Sequence, residues 1–245
     1  MFVISLILSF LLIPAVADAW GPLTHVYLGY QILDLGASLI PLGIYSIINN
    51  YRNDFLYGNL SADIILGRRF QGLEKSSHNW EVAWRILESS ESERQKAFAY
   101  GYLMHLCADT VIHNHDNLKL SFSHSILELR SDSILDKKYR RIMKNLDKYM
   151  QKKNDIFLEK TLESLIFSFK TNKRIFKGLL VLSRLPSYTP VSSFIDKRFT
   201  EQISPADIRE IHKLSLIRMF ELLNCGRDSA ALKHNPLGKY QKKAS

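Results

Sequence analysis

Apolar residues recur at intervals of three and four along most of the chain, which is the pattern of amphipathic helices. The alternation that predicts strands is not sustained anywhere in the sequence. The predicted helical segments are 24–35, 38–50, 78–87, 97–128, 136–153, 156–185 and 205–224. Turns are predicted around 57–67 and 186–190, where glycine, asparagine, serine and proline interrupt the pattern. The expected fold class is therefore all-α, a multi-helix bundle.

Capping signals mark the starts of two of these helices. The run Ser90-Glu-Ser-Glu93 places serine and acidic residues before the long central segment, where they complement the helix dipole. The run Ser204-Pro-Ala-Asp207 precedes the last helix, and Gly226 follows it as a stop. Both ends of the last helix are thus predicted from local chemistry.

The amino-terminal segment has a pattern typical of an export signal. Residues Phe2 to Val16 are apolar apart from two serines and one proline, and Ala17-Asp18-Ala19 has the small-x-small pattern of a cleavage site. The apolar run is shorter than the roughly 20 residues that a membrane span needs. No lysine or arginine precedes it, which departs from the usual signal. We expect cleavage between Ala19 and Trp20 and a periplasmic or secreted mature protein.

The net positive charge of the chain favours anionic binding partners. The 245 residues carry 33 basic and 24 acidic side chains, a formal net charge of +9 that suits phospholipid head groups or nucleic acid. Segment 136–153 is especially basic. It is interpreted first as a solvated helix face over an apolar stripe, and alternatively as a patch that docks on anionic lipid or nucleic acid. No feature predicts a protein partner.

The chain divides into a histidine-rich part and a basic part. We expect a signal peptide over 1–19, a catalytic region over 20–135, a helical region over 136–232 that completes or flanks the same domain, and a basic disordered tail over 233–245. The two cysteines are too few for a disulfide framework. Cys107 and Cys225 pair after export, or Cys107 is a small buried apolar residue.

The central segment carries an unusual row of side chains. His105, Asp109 and His113 are spaced i, i+4 and i+8, so a helix would align them on one face. His115 lies just beyond, and His124 and Glu128 are again four residues apart. Six of the eight histidines precede residue 125. This clustering points to a metal site.

Three further residues extend this set. His25, Asp63 and His78 lie in the same half of the chain, and burying so many imidazoles and carboxylates together requires a compensating cation. Zinc accepts imidazole nitrogen and carboxylate oxygen together. Cleavage before Trp20 would also create an α-amino group that, with the adjacent carbonyl oxygen, chelates a metal through a five-membered ring.

Ordered motifs across residues 20–135 carry a family resemblance. They are Trp20-Gly21-x-x-Thr24-His25, Gly58-Asn-Leu-Ser-Ala-Asp63-Ile64, His78-Asn79-Trp80, Gly101-Tyr-Leu-Met-His105-x-x-x-Asp109-x-x-x-x-x-His115, and His124-x-x-x-Glu128-Leu129. Together they resemble the zinc-dependent phospholipase C family, which is related to the single-strand-specific zinc nucleases. The rest of the chain shows no such resemblance.

The resemblance implies a mostly helical fold around three zinc ions. The first zinc would be held by Asp63, His78, His105 and Asp109, the second by His115, His124 and Glu128, and the third by the Trp20 amino nitrogen and carbonyl oxygen with His25 and Asp109. Asp109 would bridge two ions. Helical spacing prefers His113 over His115 for the second zinc, and the motif prefers His115, so both stay open.

The expected activity is zinc-assisted hydrolysis of a phosphodiester, most simply that of a phospholipid, with peripheral contact to an anionic membrane. Asp63 is the candidate for orienting the attacking water. One alternative is a zinc-dependent single-strand nuclease, for which four aromatic residues are candidate stacking platforms: Tyr27, Tyr30, Phe70 and Trp80. The other alternative is an exported, non-catalytic metal-binding protein.

Overall fold

The computed structural model describes residues 20–65, 76–113, 130–162, 170–174 and 204–237, and within these ranges the chain forms helices and turns and no strand. The all-α prediction is confirmed. The main helices of the described residues are α1 (Pro22–Leu35), α2 (Leu42–Asn50), α3 (Arg52–Ile64), α4 (Trp80–Glu88), α5 (Glu93–His113), α6 (Lys137–Lys144), α7 (Lys148–Thr161) and α8 (Pro205–Cys225). Residues 130–133 and 170–174 are also helical. Short 3-10 turns lie at Gly36–Ser38, Gly226–Asp228 and Ala230–Lys233.

Helices α3 and α5 cross at two glycines. A Cβ atom on Gly58 would lie 2.0 Å from the carbonyl oxygen of Phe98, and one on Gly101 would lie 2.0 Å from that of Phe55. The two backbones are therefore in direct contact, which only residues without a side chain permit. Phe55 faces Gly101, and further along the carbonyl of Asn59 faces the ring of His105. The helices thus run parallel, with their carboxyl-terminal halves side by side.

The predicted turn around residues 57–67 is wrong for its first part, because residues 57–64 belong to α3. Gly58, Asn59 and Ser61 are residue types that are common in turns. Inside the helix, however, the polar side chains of Asn59 and Ser61 both form hydrogen bonds. Asn59 Nδ2 donates to the carbonyl of Phe55 at 3.1 Å, and Ser61 Oγ donates to the carbonyl of Tyr57 at 2.8 Å. Asp63 consequently lies in the last turn of α3.

Helix α5 is the centre of the core. Helices α3, α4 and α8 pack on it, and α1 packs against α3 and α8. Its residues 97–112 are all buried except Tyr100, which is half-buried. The polar residues His105 and Asp109 therefore lie in the interior of the protein, among apolar residues from several helices.

The basic segment predicted as one helix over 136–153 forms two. Asp136 caps α6 by accepting from the backbone N–H of Lys138, and Asp147 caps α7 by accepting from that of Met150. Each aspartate caps the start of a new helix, so the helical structure is interrupted at residues 145–147. Helix α7 then ends at Thr161, and the remainder of the predicted 156–185 helix falls largely outside the described residues.

The structure describes the last helix and leaves both termini of the chain outside the described residues. The prediction for the last helix is confirmed, since Ser204 and Asp207 form a capping box and α8 stops at Gly226. Among the described residues, no helix has both the length and the apolar character that a membrane crossing requires. The predicted signal, 1–19, lies outside the described residues, as does the part of the predicted tail after residue 237.

Candidate metal centre

Three helices and the turn before α4 bring five buried or nearly buried side chains to one point. His105 and Asp109 lie one turn apart on α5, with Nε2 3.2 Å from Oδ2, as their i, i+4 spacing predicts. His25 comes from α1, Asp63 from the end of α3, and His78 from the residues just before α4. Two overlapping groups could hold a metal ion, each with its ligand atoms within 4.8 Å of one another: His25, His105 and Asp109, and Asp63, His78 and His105.

Five of the six distances among four donor atoms are close to the separations that a tetrahedral ion requires. His78 Nε2 is 3.1 Å from His105 Nε2, and the Asp109 Oδ2 atom is 3.4 Å and 3.2 Å from these two nitrogens. Asp63 Oδ1 lies 3.5 Å from His78 Nε2 and 3.6 Å from His105 Nε2. A tetrahedral zinc with bonds of about 2.0–2.1 Å holds its ligand atoms about 3.3–3.4 Å apart. The set therefore fits zinc.

The other oxygen of Asp109 faces a second group of donors. Asp109 Oδ1 lies 3.3 Å from His25 Nε2 and 3.4 Å from the backbone nitrogen of Trp20, which donates a hydrogen bond to it. In the full-length chain this nitrogen is a peptide amide; a chain beginning at Trp20 would carry an amine there. Each carboxylate oxygen of Asp109 thus faces its own donor set, which is the geometry of a bridging ligand.

Hydrogen bonds to the far side of the rings set their orientation. His105 Nδ1 lies 2.8 Å from the carbonyl oxygen of Asn59 and must donate to it, because a carbonyl only accepts. A neutral His105 ring therefore presents a lone pair on Nε2. His78 Nδ1 lies 3.0 Å from Ser77 Oγ, and Tyr102 donates to the Ser77 carbonyl at 2.6 Å, which holds this loop against α5. Metal-binding histidines are commonly oriented in this way.

Several buried atoms of the cluster lack hydrogen bonds. Among the described residues, neither ring nitrogen of His25 has a hydrogen-bond partner, nor has Asp109 Oδ2, although polar atoms of the other site residues lie within 3.2–3.4 Å of His25 Nε2 and Asp109 Oδ2. Each such buried group costs about 1–3 kcal/mol when unsatisfied. Short contacts without hydrogen-bond geometry are expected when the atoms point at a common ion, so the observation supports the fit.

The charges inside the cluster depend on one another. Burial by itself would raise the pKa of Asp63, but the imidazoles of His105, His78 and His25 lower it to about 2. The pKa of Asp109 likewise lies well below its ordinary value, because the nearby imidazoles outweigh burial. In return, despite burial, Asp109 and Asp63 raise the pKa of His105 to about 9, whereas burial and His105 lower that of His25. Both carboxylates are therefore ionised, the form that binds a cation.

Sequence reasoning missed Asp132, which supports the start of α1. Its carboxylate accepts from the backbone N–H groups of Leu23 and Thr24 at 3.2 and 2.8 Å, and from the Thr24 hydroxyl at 2.8 Å. Helix α1 has no cap from Gly21, so Asp132 supplies one from 108 residues away. A Cβ on Gly21 would lie 2.5 Å from this carboxylate. No local pattern could have revealed this contact.

His212, to which the sequence assigns no role, helps to hold Trp20. Its Nε2 lies 2.7 Å from Ser131 Oγ, which in turn lies 2.8 Å from the Thr24 hydroxyl. The His212 ring is 4.9 Å from that of Trp20, whose indole N–H donates to the carbonyl of Ala108 at 3.1 Å. These contacts from α5 and α8 fix Trp20 beside Asp109.

The second predicted zinc site cannot be placed. His115, His124 and Glu128 lie outside the described residues, and His113 is the last residue of α5 with no described side chain. These ligands stay predictions. The cysteines are both free thiols, with Cys107 buried in α5 and Cys225 exposed. Burial raises the pKa of the Cys107 thiol, consistent with a small buried apolar residue.

Comparison with known proteins agrees with this geometry. The family model for zinc-dependent phospholipase C matches residues 24–175, which is more than half of the chain and includes His25, Asp63, His78, His105 and Asp109. No curated protein and no solved structure gives a significant match. The chain belongs to the zinc-dependent phospholipase C family, and it is accordingly a zinc-dependent phosphoric ester hydrolase.

Proposed function

We propose that the protein hydrolyses the phosphodiester bond of phospholipids at a cluster of zinc ions. The observation that carries the proposal is the position of Asp109, whose two oxygens face two separate donor sets at 3.2–3.4 Å. In the proposal, Asp63, His78, His105 and Asp109 hold the first zinc. Zinc, when bound, supplies a Lewis acid that activates water and stabilises charge on the phosphate.

Asp63 is the proposed catalytic residue. Its side chain is 16% exposed, whereas those of His25, His78, His105 and Asp109 are fully buried. Asp63 is thus the member of the described cluster that can meet a water molecule or a substrate. Because its pKa is lowered to about 2, it is ionised at neutral pH and can accept a hydrogen bond from the attacking water. This exposure argues against a closed, purely structural site.

The finer parts of the proposal concern the remaining ions and export. We propose cleavage after Ala19, export, and a third zinc held by the Trp20 amine and carbonyl with His25 and Asp109. The Trp20 nitrogen, 3.4 Å from Asp109 Oδ1, supports this assignment. A second zinc would be held by His124 and Glu128, with either His115 or His113.

Phospholipid is a better proposal than single-stranded nucleic acid. The candidate stacking residues are engaged elsewhere: Tyr27 and Tyr30 pack edge-on against Tyr139, and the Trp80 indole donates to the carbonyl of His234 at 2.9 Å. Phe70 lies outside the described residues. The basic helices α6 and α7 support a peripheral contact with anionic membrane.

The test combines composition with activity. Protein exported through its own leader would be analysed for zinc and for its amino-terminal residue, then assayed on phosphatidylcholine vesicles and on single-stranded DNA. Three zinc ions, an amino-terminal Trp20 and release of phosphorylated head group are the expected results. Cleavage of DNA alone would support the nuclease, and bound zinc without hydrolysis of either substrate would support the non-catalytic alternative.

A further inference from the structure

A cavity lies away from the metal centre. It has a volume of about 670 Å³ and opens between the amino-terminal ends of α3, α5 and α7. Cavities of this size commonly hold small ligands or head groups. The side chains on which the argument rests are Tyr51, Asp54, Arg94, Asp147, Tyr149 and Lys153.

Two cations in this cavity form no salt bridge within the described residues, although the charge of Arg94 opposes the rise in pKa that burial causes at the cavity residue Asp54. The guanidinium of Arg94 lies 5.3 Å from the centre of the Tyr51 ring, and Lys153 Nζ lies 4.5 Å from that of Tyr149. Neither forms an ion pair with a carboxylate of the described residues. Each cation is thus held over an aromatic face and keeps N–H donors for a ligand.

The two acidic residues of the cavity each accept a hydrogen bond from a neutral donor and keep their negative charge. Asp54 Oδ1 accepts from Asn154 Nδ2 at 2.8 Å, and Asp147 Oδ1 accepts from the backbone N–H of Met150 at 2.6 Å as the cap of α7. The third lining cation, Arg52, lies 3.9 Å from Asp34 outside the cavity. Arg94 and Lys153 keep N–H donors that an anion could accept from, and the nearby helix amino termini favour an anion, whereas the charges of Asp54 and Asp147 oppose it.

The cavity and the metal centre lie at opposite ends of one helix pair. Arg94 precedes His105 by 11 residues on α5, which corresponds to about 16 Å along the axis. Asp54 precedes Asp63 by nine residues on the parallel α3, or about 14 Å. A single phosphate group cannot contact both sites at once, so the cavity is a separate site.

We propose that this cavity is a second anion site that binds a phosphate group, either in a lipid head group or as free phosphate. An arginine and a lysine offer the paired donors that a tetrahedral oxyanion accepts. The cavity also borders the basic surface of α7, whose other exposed cations include Lys148 and Lys152. A lipid bilayer touching this surface would present phosphate to the cavity. The inference does not depend on hydrolysis at the metal centre.

The experiment uses the zinc-loaded full chain and two charge-matched double variants. Arg94→Gln with Lys153→Gln removes the cavity cations, and Arg209→Gln with Lys233→Gln removes one exposed arginine and one exposed lysine outside α6 and α7. Sedimentation with phosphatidylcholine vesicles, with and without phosphatidylglycerol, measures lipid binding. Calorimetric titration with inorganic phosphate measures free-anion binding, and thermal unfolding checks that each variant folds.

For a lipid ligand, the cavity variant should bind anionic vesicles about 20- to 30-fold more weakly, since each cation near such a surface contributes a factor of about five. The control should change much less. For free phosphate, the cavity variant should lose one class of phosphate site while vesicle binding stays normal. Unchanged binding of both probes, or equal losses in the two variants, would overturn the proposal. A wild type that binds phosphate here but hydrolyses nothing would refute only the proposed function.

Discussion

The Nε2 atoms of His78 and His105 lie 3.1 Å apart, and both side chains are buried. The other ring nitrogen of His105 already donates to the carbonyl of Asn59. Two neutral rings in this arrangement point lone pair at lone pair, unless a proton or a metal ion lies between them. The stability of the core therefore depends on whether a metal ion is bound between these residues.

Removal of zinc should lower the stability of the protein. A ligand that binds only the folded state at about 1,000 times its dissociation constant contributes about 4 kcal/mol. We expect a chelator to lower the melting temperature, and added zinc to restore it. Calorimetry with and without chelator measures the shift. An unchanged melting temperature in protein shown to be metal-free would contradict the link.

The Asp109→Asn variant should lose more bound zinc than the Asp63→Asn variant. The amide keeps the shape of the side chain but loses the negative charge, and Asp109 faces two donor sets whereas Asp63 lies mainly beside one. We expect Asp109→Asn to lose more than one equivalent of zinc, and Asp63→Asn to lose at most one while activity falls. Elemental analysis beside circular dichroism makes this comparison. Equal zinc content in the two variants would count against a bridging Asp109.

Gly58→Ala and Gly101→Ala should both be strongly destabilising. Each Cβ would meet a backbone carbonyl at 2.0 Å, which separates α3 from α5 and moves Asp63 away from His105. A loss of roughly 3 kcal/mol or more is expected, beyond the usual cost of a substitution. Gly43→Ala is the matched control, because no atom lies within 4 Å of its Cβ. That variant should be neutral or stabilising by up to about 1 kcal/mol, as urea unfolding would show.

Asp132→Ala should weaken the cap on α1 and thereby the position of His25 and Trp20. Loss of a helix cap typically costs about 0.5–2 kcal/mol. We expect a modest fall in stability, together with weaker zinc binding on the Trp20 side of Asp109. Asp136→Ala, which removes the exposed cap of α6, is the control for a stability loss without metal loss. Equal zinc affinities in the two variants would argue against this supporting role.

Protonation of His212 should lower the free energy of unfolding in mild acid. Burial lowers its pKa to about 4 from an ordinary value of 6.5, so between these values the unfolded chain binds more protons than the folded one. Stability from this group is therefore complete above pH 6.5 and is lost as the pH falls towards 4, by about 3 kcal/mol at most. His212→Gln should show a shallower fall over this range. Equal slopes in urea unfolding at several pH values would contradict the prediction.

Much of the site follows from local rules of the sequence. The spacing of His105 and Asp109 by one helical turn predicts their shared face without any tertiary information, because the periodicity of a helix is set by its own backbone. The same holds for the box at Ser204 and Asp207, and for the all-α fold class. The ordered motifs pointed to the family that the comparison confirms.

Tertiary structure alone decided how these pieces meet. Residues 57–64 look like a turn in the sequence, yet they form a helix because Gly58 allows α3 to contact α5 and because Asn59 and Ser61 bond to their own helix. The cap that Asp132 provides joins residues more than 100 positions apart. Such contacts depend on packing between distant segments, which no local pattern encodes, whereas turn-to-turn spacing depends only on the backbone of one helix.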